Sequence, residues 1–401
     1  MLFERYIRNY MNGFNQLDRE CWNYEDGCVL IGAQAMYEAT GDEFYFESIK
    51  NFIDRYVKED GIMYYDPKEY NIDKIPSGRV LFPLYRKTGI EKYRKAADLL
   101  MSQLRSQPRT ECGNFWHKKI YPYQIWLDGL YMGLPFYLMY ENMFGAGTNY
   151  EDVIKQFRNV RKFLYDEKEK LYYHAFDERK EMFWANKETG LSPNFWSRSM
   201  GWYLMALADC RELLPETCKE YREELEMLWR EAIDGMLLHQ DQESGLFFQL
   251  TALPNEKGNY LETSSSSMVA YSILKGCRLG VFDESYRTKG EEILISLETR
   301  MFQIKNRVLE LGGMCVGAGL GPDGNFHRDG SVAYYLREGV VHDEQKGTGA
   351  AMMAYSEWLK LDKTKNASDF LPGINVEIYN NGYVGGPVEI QNNFAKFEDL
   401  L

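Results

Sequence analysis

The chain has 401 residues, a formal net charge of −13 at pH 7 and 45% hydrophobic residues. The apolar content supplies a large core and excludes global disorder, while the acidic balance argues against nucleic acid or an anionic membrane as a partner. Seven scattered cysteines without a CxxC pair, charges in place of a signal peptide's apolar core, and no apolar run long enough to span a bilayer read as a cytoplasmic chain with free thiols.

Helical periodicity dominates from the N-terminal part onward. An apolar segment over residues 28–40 ends at Ala39-Thr40-Gly41-Asp42, where glycine suits a left-handed helix end. An amphipathic stretch follows from Phe44-Tyr45 through Phe52 and Tyr56 to about Gly61. The same alternation recurs. Apolar, glycine-containing segments occupy residues 75–88, 125–140, 197–213, 264–279 and 347–360, and more polar helices begin near Tyr93, Tyr150, Tyr221 and Tyr286. Small residues in the apolar segments, among them Gly32, Ala33, Ala206, Gly349 and Ala350, permit close packing.

Six apolar helices alternating with polar ones predict an all-α fold, an (α/α)6 barrel of six helical hairpins with an inner and an outer ring. Strand-like aromatic runs at residues 61–65, 170–174 and 245–249 predict short β-hairpin loops at one mouth. Residues 1–371 are expected to form one catalytic domain, and residues 372–401 an irregular C-terminal tail.

Asp128 lies in the apolar and aromatic run Tyr121-Pro122-Tyr123-Gln124-Ile125-Trp126-Leu127-Asp128-Gly129-Leu130-Tyr131. A carboxylate there must be paired, neutralised or exposed in a cavity. Burial favours its protonated form, the state a general acid needs. Trp126 and Tyr131 offer flat faces for a sugar ring, and 15% aromatic content suits carbohydrate binding as well as a helical core. The competing reading is a core helix whose one Asp bonds a neighbour.

Asp73, in Asn71-Ile72-Asp73, is a second carboxylate before an apolar helix, or simply its N-cap. His117-Lys118-Lys119 leads into the Asp128 segment, or is a solvated basic loop. Arg198 and Trp202, four apart, share one helical face; an arginine fork grips a carboxylate while an indole stacks beside it. The alternative is an arginine tying a helix end to an acidic neighbour. Leu261-Glu262-Thr263-Ser264 reads as a helix start capped by Thr263 or Ser264. The five histidines show no HxH or HExxH pairing, no GxGxxG or GxxxxGK(S/T) follows a strand, and no GxSxG occurs, so no metal or other cofactor is expected.

Taken together, Asn71-Ile72-Asp73, His117-Lys118, Trp126-Leu127-Asp128-Gly129-Leu130-Tyr131-Met132, Trp196-Ser197-Arg198-Ser199-Met200-Gly201-Trp202, Glu262-Thr263-Ser264 and Lys346-Gly347-Thr348-Gly349-Ala350 resemble glycoside hydrolase family 105, the unsaturated rhamnogalacturonyl hydrolases. More distantly they resemble family 88, the unsaturated glucuronyl hydrolases. The resemblance covers roughly residues 20 to 360. It implies an (α/α)6 barrel acting on a 4,5-unsaturated uronic acid at the non-reducing end of a pectin-derived oligosaccharide.

The resemblance further implies Asp128 as general acid and base, with Asp73 as the second carboxylate, orienting hydroxyls and raising the proton affinity of Asp128. Arg198 and Lys118 become candidates for the uronate carboxylate and His117 for a hydroxyl. Trp126 and Trp202 would wall the ring, and Tyr24 and His174 would line the same mouth. Two departures stand out. Ser199 follows Arg198 where the family more often has Gly or Ala beside the arginine, and the chain after Leu371 runs past the usual barrel end, within reach of the mouth or of an adjacent subunit in a homo-oligomer. Rival readings are an unsaturated glucuronyl hydrolase, a non-catalytic sugar-binding protein and a helical-barrel epimerase.

Overall fold

The computed structural model describes residues 2–361. In chain order the helices are α1 (Leu2–Phe14), α2 (Tyr24–Thr40), α3 (Glu43–Tyr56), α4 (Leu81–Thr88), α5 (Glu91–Ser106), α6 (Leu127–Met143) and α7 (Tyr150–Leu164). They continue with α8 (Ser197–Leu213), α9 (Lys219–Leu238), α10 (Thr263–Arg278), α11 (Glu284–Arg300), the short α12 (Val332–Arg337) and α13 (Gln345–Leu361).

Helices α2, α4, α6, α8, α10 and α13 form the inner ring. Neighbours pack in that order, with the 3-10 segment Pro76–Val80 ahead of α4 carrying the contacts to α2 and α6. The circle closes where α13 packs on both α10 and α2. This is the (α/α)6 barrel expected from the alternation. Burial follows the rings. In α8 every residue from Ser197 to Cys210 is buried, whereas α3 buries Tyr45, Phe46, Ile49, Phe52, Ile53 and Tyr56 at threes and fours and gives its other face to water. The outer helix α1, which buries Phe3, Tyr6, Ile7, Met11 and Phe14 and packs on α13, has the same spacing and was not anticipated.

Glycine matters at the closing seam. A β-carbon on Gly32 would stand 3.0 Å from the carbonyl oxygen of Gly349, and one on Gly349 would run into the carbonyl of Cys28. The backbones of α2 and α13 therefore meet without side chains between them. Gly41 ends α2 with φ 72°, its N–H donating to the Tyr37 carbonyl.

Two expected hairpins are present, Val57–Lys58 with Gly61–Ile62 and Tyr165–Asp166 with Leu171–Tyr172, each at the C-terminal end of an outer helix. The third is not. Around residues 245–249 the backbone of Gln249 accepts from Ser197 N–H and donates to the Tyr260 carbonyl, so it ties two inner-helix starts together instead of pairing locally. The segment expected to be helical from residue 125 begins as a strand, Gln124–Trp126, antiparallel to Ala175–Asp177, and turns helical only at Leu127. Short apolar runs do not distinguish the two by periodicity. Phe302–Lys305 with Val308–Leu311 and Met314–Cys315 with Val340–Val341 complete the strand pairs.

The cysteines are unpaired, and no helix among the described residues is long and apolar enough to cross a membrane. The expected C-terminal tail lies outside the described residues.

Candidate active site

The N-terminal ends of the inner helices share one mouth, and the loops arriving from the outer helices deliver the side chains to it. Asn71 pairs with Lys118 in an isolated antiparallel bridge, and the Ile72 N–H donates to the His117 carbonyl. That pairing sets His117 and Lys118 against Asp73. The Asp73 Oδ1 lies 3.2 Å from Nε2 of His117, and Oδ2 lies 2.5 Å from Nζ of Lys118. The cap of this 3-10 turn is Asn71, whose side chain accepts from the Asp73 N–H, so the Asp73 carboxylate is not spent on capping. Burial alone would raise its pKa, but Lys118 and His117 together hold it well below the usual carboxylate range. Lys118 is pushed up in turn: burial opposes its charge and Asp73 outweighs burial.

The strand pair Gln124–Trp126/Ala175–Asp177 does the equivalent for Asp128. Leu127 N–H donates to the His174 carbonyl, which places His174 beside the first turn of α6. Its Nε2 stands 3.3 Å from Oδ2 of Asp128. Neither atom has a hydrogen-bond partner of acceptable geometry, although both are buried. The other ring nitrogen, Nδ1, lies 2.8 Å from the Tyr335 hydroxyl. If Tyr335 donates there, neutral His174 carries its proton on Nε2, toward Asp128. No lysine or arginine stands within ion-pair distance of Asp128 among the described residues.

The two halves meet. A β-carbon on Gly129 would lie 3.3 Å from Nδ1 of His117 and 3.2 Å from the Ile72 side chain, so Asp128 and Asp73 belong to one site. Trp126 walls it, with His117 stacked at 5.0 Å and 2° and Tyr121 at 4.7 Å and 27°.

Arg198 is fully buried. Its Nε donates to Ser264 Oγ at 2.6 Å and its Nη2 to Glu262 Oε1 at 3.2 Å and to the Cys315 carbonyl. Nη1 alone has no hydrogen-bond partner, with Glu344 3.9 Å away. Burial would lower its pKa, but Glu262 and Glu344 raise it. A two-pronged grip on a substrate carboxylate is therefore not available to Arg198, because the fork already serves Glu262, Ser264 and Cys315. Glu262, not Thr263 or Ser264, caps α10 by accepting from Ser265 N–H. Trp202 lies one turn deeper, 2% exposed and stacked on Tyr131 at 4.9 Å. Both rings belong to the barrel core and neither offers a face at the mouth.

Tyr24 opens α2 beside the same mouth. Its phenol is raised well above its ordinary value, by burial first and then by the charges of Asp73, Glu25 and Glu344. Lys346 Nζ stands 5.5 Å from its ring and pairs with Glu344 and, at 3.0 Å, with Glu25. Sequence reasoning missed Tyr335, Glu344 and the mouth position of Trp196, whose ring is 4.8 Å from His174. The signal available for Trp196 and Glu344 was position: each immediately precedes an inner helix.

The far end of the barrel is a different place. Asp209 accepts there from Arg79 at 2.6 Å and Lys275 at 2.7 Å, and a cavity of about 170 Å³ beside them is lined by none of the candidate residues. Among the described residues no group of three His, Cys, Asp or Glu side chains is placed to hold a metal ion.

The closed helical toroid bears a pair of carboxylates at its mouth, and the comparisons with known proteins place the chain among the glycoside hydrolases. A solved family 105 glycoside hydrolase from C. acetobutylicum superposes with a TM-score of 0.85 at 42% identity, over 89% of this chain and 99% of that one. Residues 3–362 match Glycosyl Hydrolase Family 88, and the chain belongs to that family. Protein Atu3128 of Agrobacterium fabrum is 39% identical over 236 residues, 57% of this chain and 99% of that protein. The unsaturated rhamnogalacturonyl hydrolase YesR of Bacillus subtilis is 27% identical over 264 residues, 64% of this chain and 72% of YesR.

Proposed function

We propose that the protein removes a 4,5-unsaturated galacturonyl unit, linked to rhamnose, from the non-reducing end of pectin-derived oligosaccharides. The similarity to YesR supports this substrate. The observation that carries the chemistry is the unequal treatment of the two carboxylates. Asp73 is clamped by Lys118 and His117 and stays ionised, whereas Oδ2 of Asp128 is buried without a well-aligned hydrogen bond and has no lysine or arginine within ion-pair distance among the described residues.

An unsaturated uronate contains a vinyl ether. Protonation at C4 by Asp128 leaves an oxocarbenium-like cation at C5, and the carboxylate so formed takes a proton from the water that adds there. The hemiketal opens to a ketone at C5, leaving a hemiacetal at C1 that releases the remaining sugar as an alcohol. No nucleophile attacks the anomeric carbon, so the carboxylate-separation rule for ordinary glycosidases does not govern this site. Asp73, already neutralised by Lys118, acts by accepting substrate hydroxyls rather than by repelling the charge of Asp128. His117 and Trp126 wall the ring, His174 faces Asp128, and Tyr24 closes the far side.

The test is a panel of unsaturated disaccharides, followed by loss of the ultraviolet absorbance of the C4=C5 bond. Turnover of the rhamnose-linked unit and not of hexosamine-linked ones is expected. Preference for hexosamine-linked units would select a glucuronyl hydrolase instead, and no turnover of any member would overturn the reading.

A further inference from the structure

The mouth holds several cations, and nearly all are already committed. Lys118 is paired with Asp73, Arg198 with Glu262, and Lys346 with Glu344 and Glu25. Arg328 is the exception. Its half-buried guanidinium has no ion pair or hydrogen bond among the described residues. Its Nη1 and the ring of Trp126 each stand 3.5 Å from where a β-carbon of Gly319 would lie, so it faces the indole two residues from Asp128. Of the acids near it in sequence, Asp329 accepts from Ser331 N–H at 2.9 Å, Glu338 faces His327 at 3.9 Å, and the exposed Asp323 of the same loop makes no ion pair with it.

The loop that carries Arg328 is held in place. Tyr334 donates to the Gly319 carbonyl at 2.6 Å, Trp184 to the Gly321 carbonyl at 3.2 Å, and Gly321 N–H to the Arg328 carbonyl at 2.8 Å. The same loop presents Phe326, 65% exposed, edge-on to Phe183 at 5.0 Å. The exposed Phe326 ring, braced by the half-buried Phe183, offers an apolar face on which a sugar can lie, and an arginine fork is suited to a carboxylate. A chain of net charge −13 needs such a local cation to keep a polyanionic substrate.

We propose that the loop from Gly319 to Arg328 is a subsite for a second acidic sugar beyond the scissile bond, with Arg328 holding its carboxylate and Phe326 and Phe183 bearing its ring. The inference rests on the hydrolase reading above and adds a preference for oligosaccharides that carry a further uronate.

Three substrates test it, all ending in the same unsaturated uronate: a disaccharide with a neutral second sugar, a longer oligosaccharide with a free uronate further along, and that oligosaccharide as its methyl ester. The wild-type protein should favour the free acid over the ester by about ten-fold in kcat/KM, the scale of one charge-assisted contact. Arg328→Gln should bring the ratio to about one, and Arg328→Lys should retain part of it. Equal wild-type rates on acid and ester, or an unchanged ratio in Arg328→Gln, would overturn the subsite. The disaccharide reports separately on the hydrolase reading. Should it not be turned over, acid and ester are compared by calorimetric binding to the wild-type protein, and equal affinity again overturns the subsite.

Discussion

Replacing Arg198 separates a grip on the substrate from a grip on the protein. The side chain is fully buried and spends Nε and Nη2 on Ser264, Glu262 and the Cys315 carbonyl. In Arg198→Met the Glu262 carboxylate stays buried without its cation, and removing one partner of such a pair costs about 3–5 kcal/mol. Glu262 keeps donors from Ser264 Oγ, Ser265 N–H and Cys315 N–H, which places the expectation at the lower end, about 3 kcal/mol. With a urea slope of about 3 kcal/mol per molar, the unfolding midpoint should fall by about 1 M. Adding Glu262→Gln removes the orphaned charge and should restore at least half of the loss, a coupling that a double-mutant cycle reads directly. Urea titrations of the wild type, both single variants and the double variant, with kcat/KM for each, make the test. An Arg198→Met protein with a wild-type midpoint and a KM raised many-fold would refute the reasoning and return Arg198 to the role of principal carboxylate binder.

Asp128→Asn should lower turnover by at least about 10²-fold, the scale of a lost general acid, and leave the unfolding midpoint unchanged because Oδ2 makes no hydrogen bond; near-wild-type turnover would remove Asp128 from the chemistry. Asp73→Asn should destabilise the protein at neutral pH by stranding Lys118. Because the folded pKa of Asp73 is depressed, its stabilisation is fully present above the unfolded value of about 4 and is lost as pH falls from there toward the folded value. Urea midpoints of variant and wild type should thus converge in acid, and a gap that widens there contradicts the pairing. EDTA should leave kcat/KM unchanged, since no metal-ligating group is found among the described residues; inactivation reversed by one divalent ion would show a site outside this account.

Local pattern carried the architecture. Six mainly apolar helices such as α8 and five amphipathic partners such as α3 are written in residue spacing, because a helix buried on most sides and one buried on a stripe need different periodicities. Glycine at Gly41 marked a helix end because only a left-handed turn needed it there. Asp128 stood out in sequence because a carboxylate in an apolar run demands an explanation. What each side chain does was decided only by the folded contacts. Asp73 read equally well as a cap until Asn71 was seen to take that role, and Arg198 read equally as a substrate fork or as a tie to an acidic neighbour until Glu262, 64 residues away, was found in it. His174 reaches Asp128 through a strand pair that joins residues 124–126 to 175–177, and Trp202 turns out to stack on Tyr131 inside the core. Spacing along the chain sets which face of an element is apolar, but the partners of a buried polar group come from distant segments, and only their packing fixes which charges are spent and which are left for a ligand.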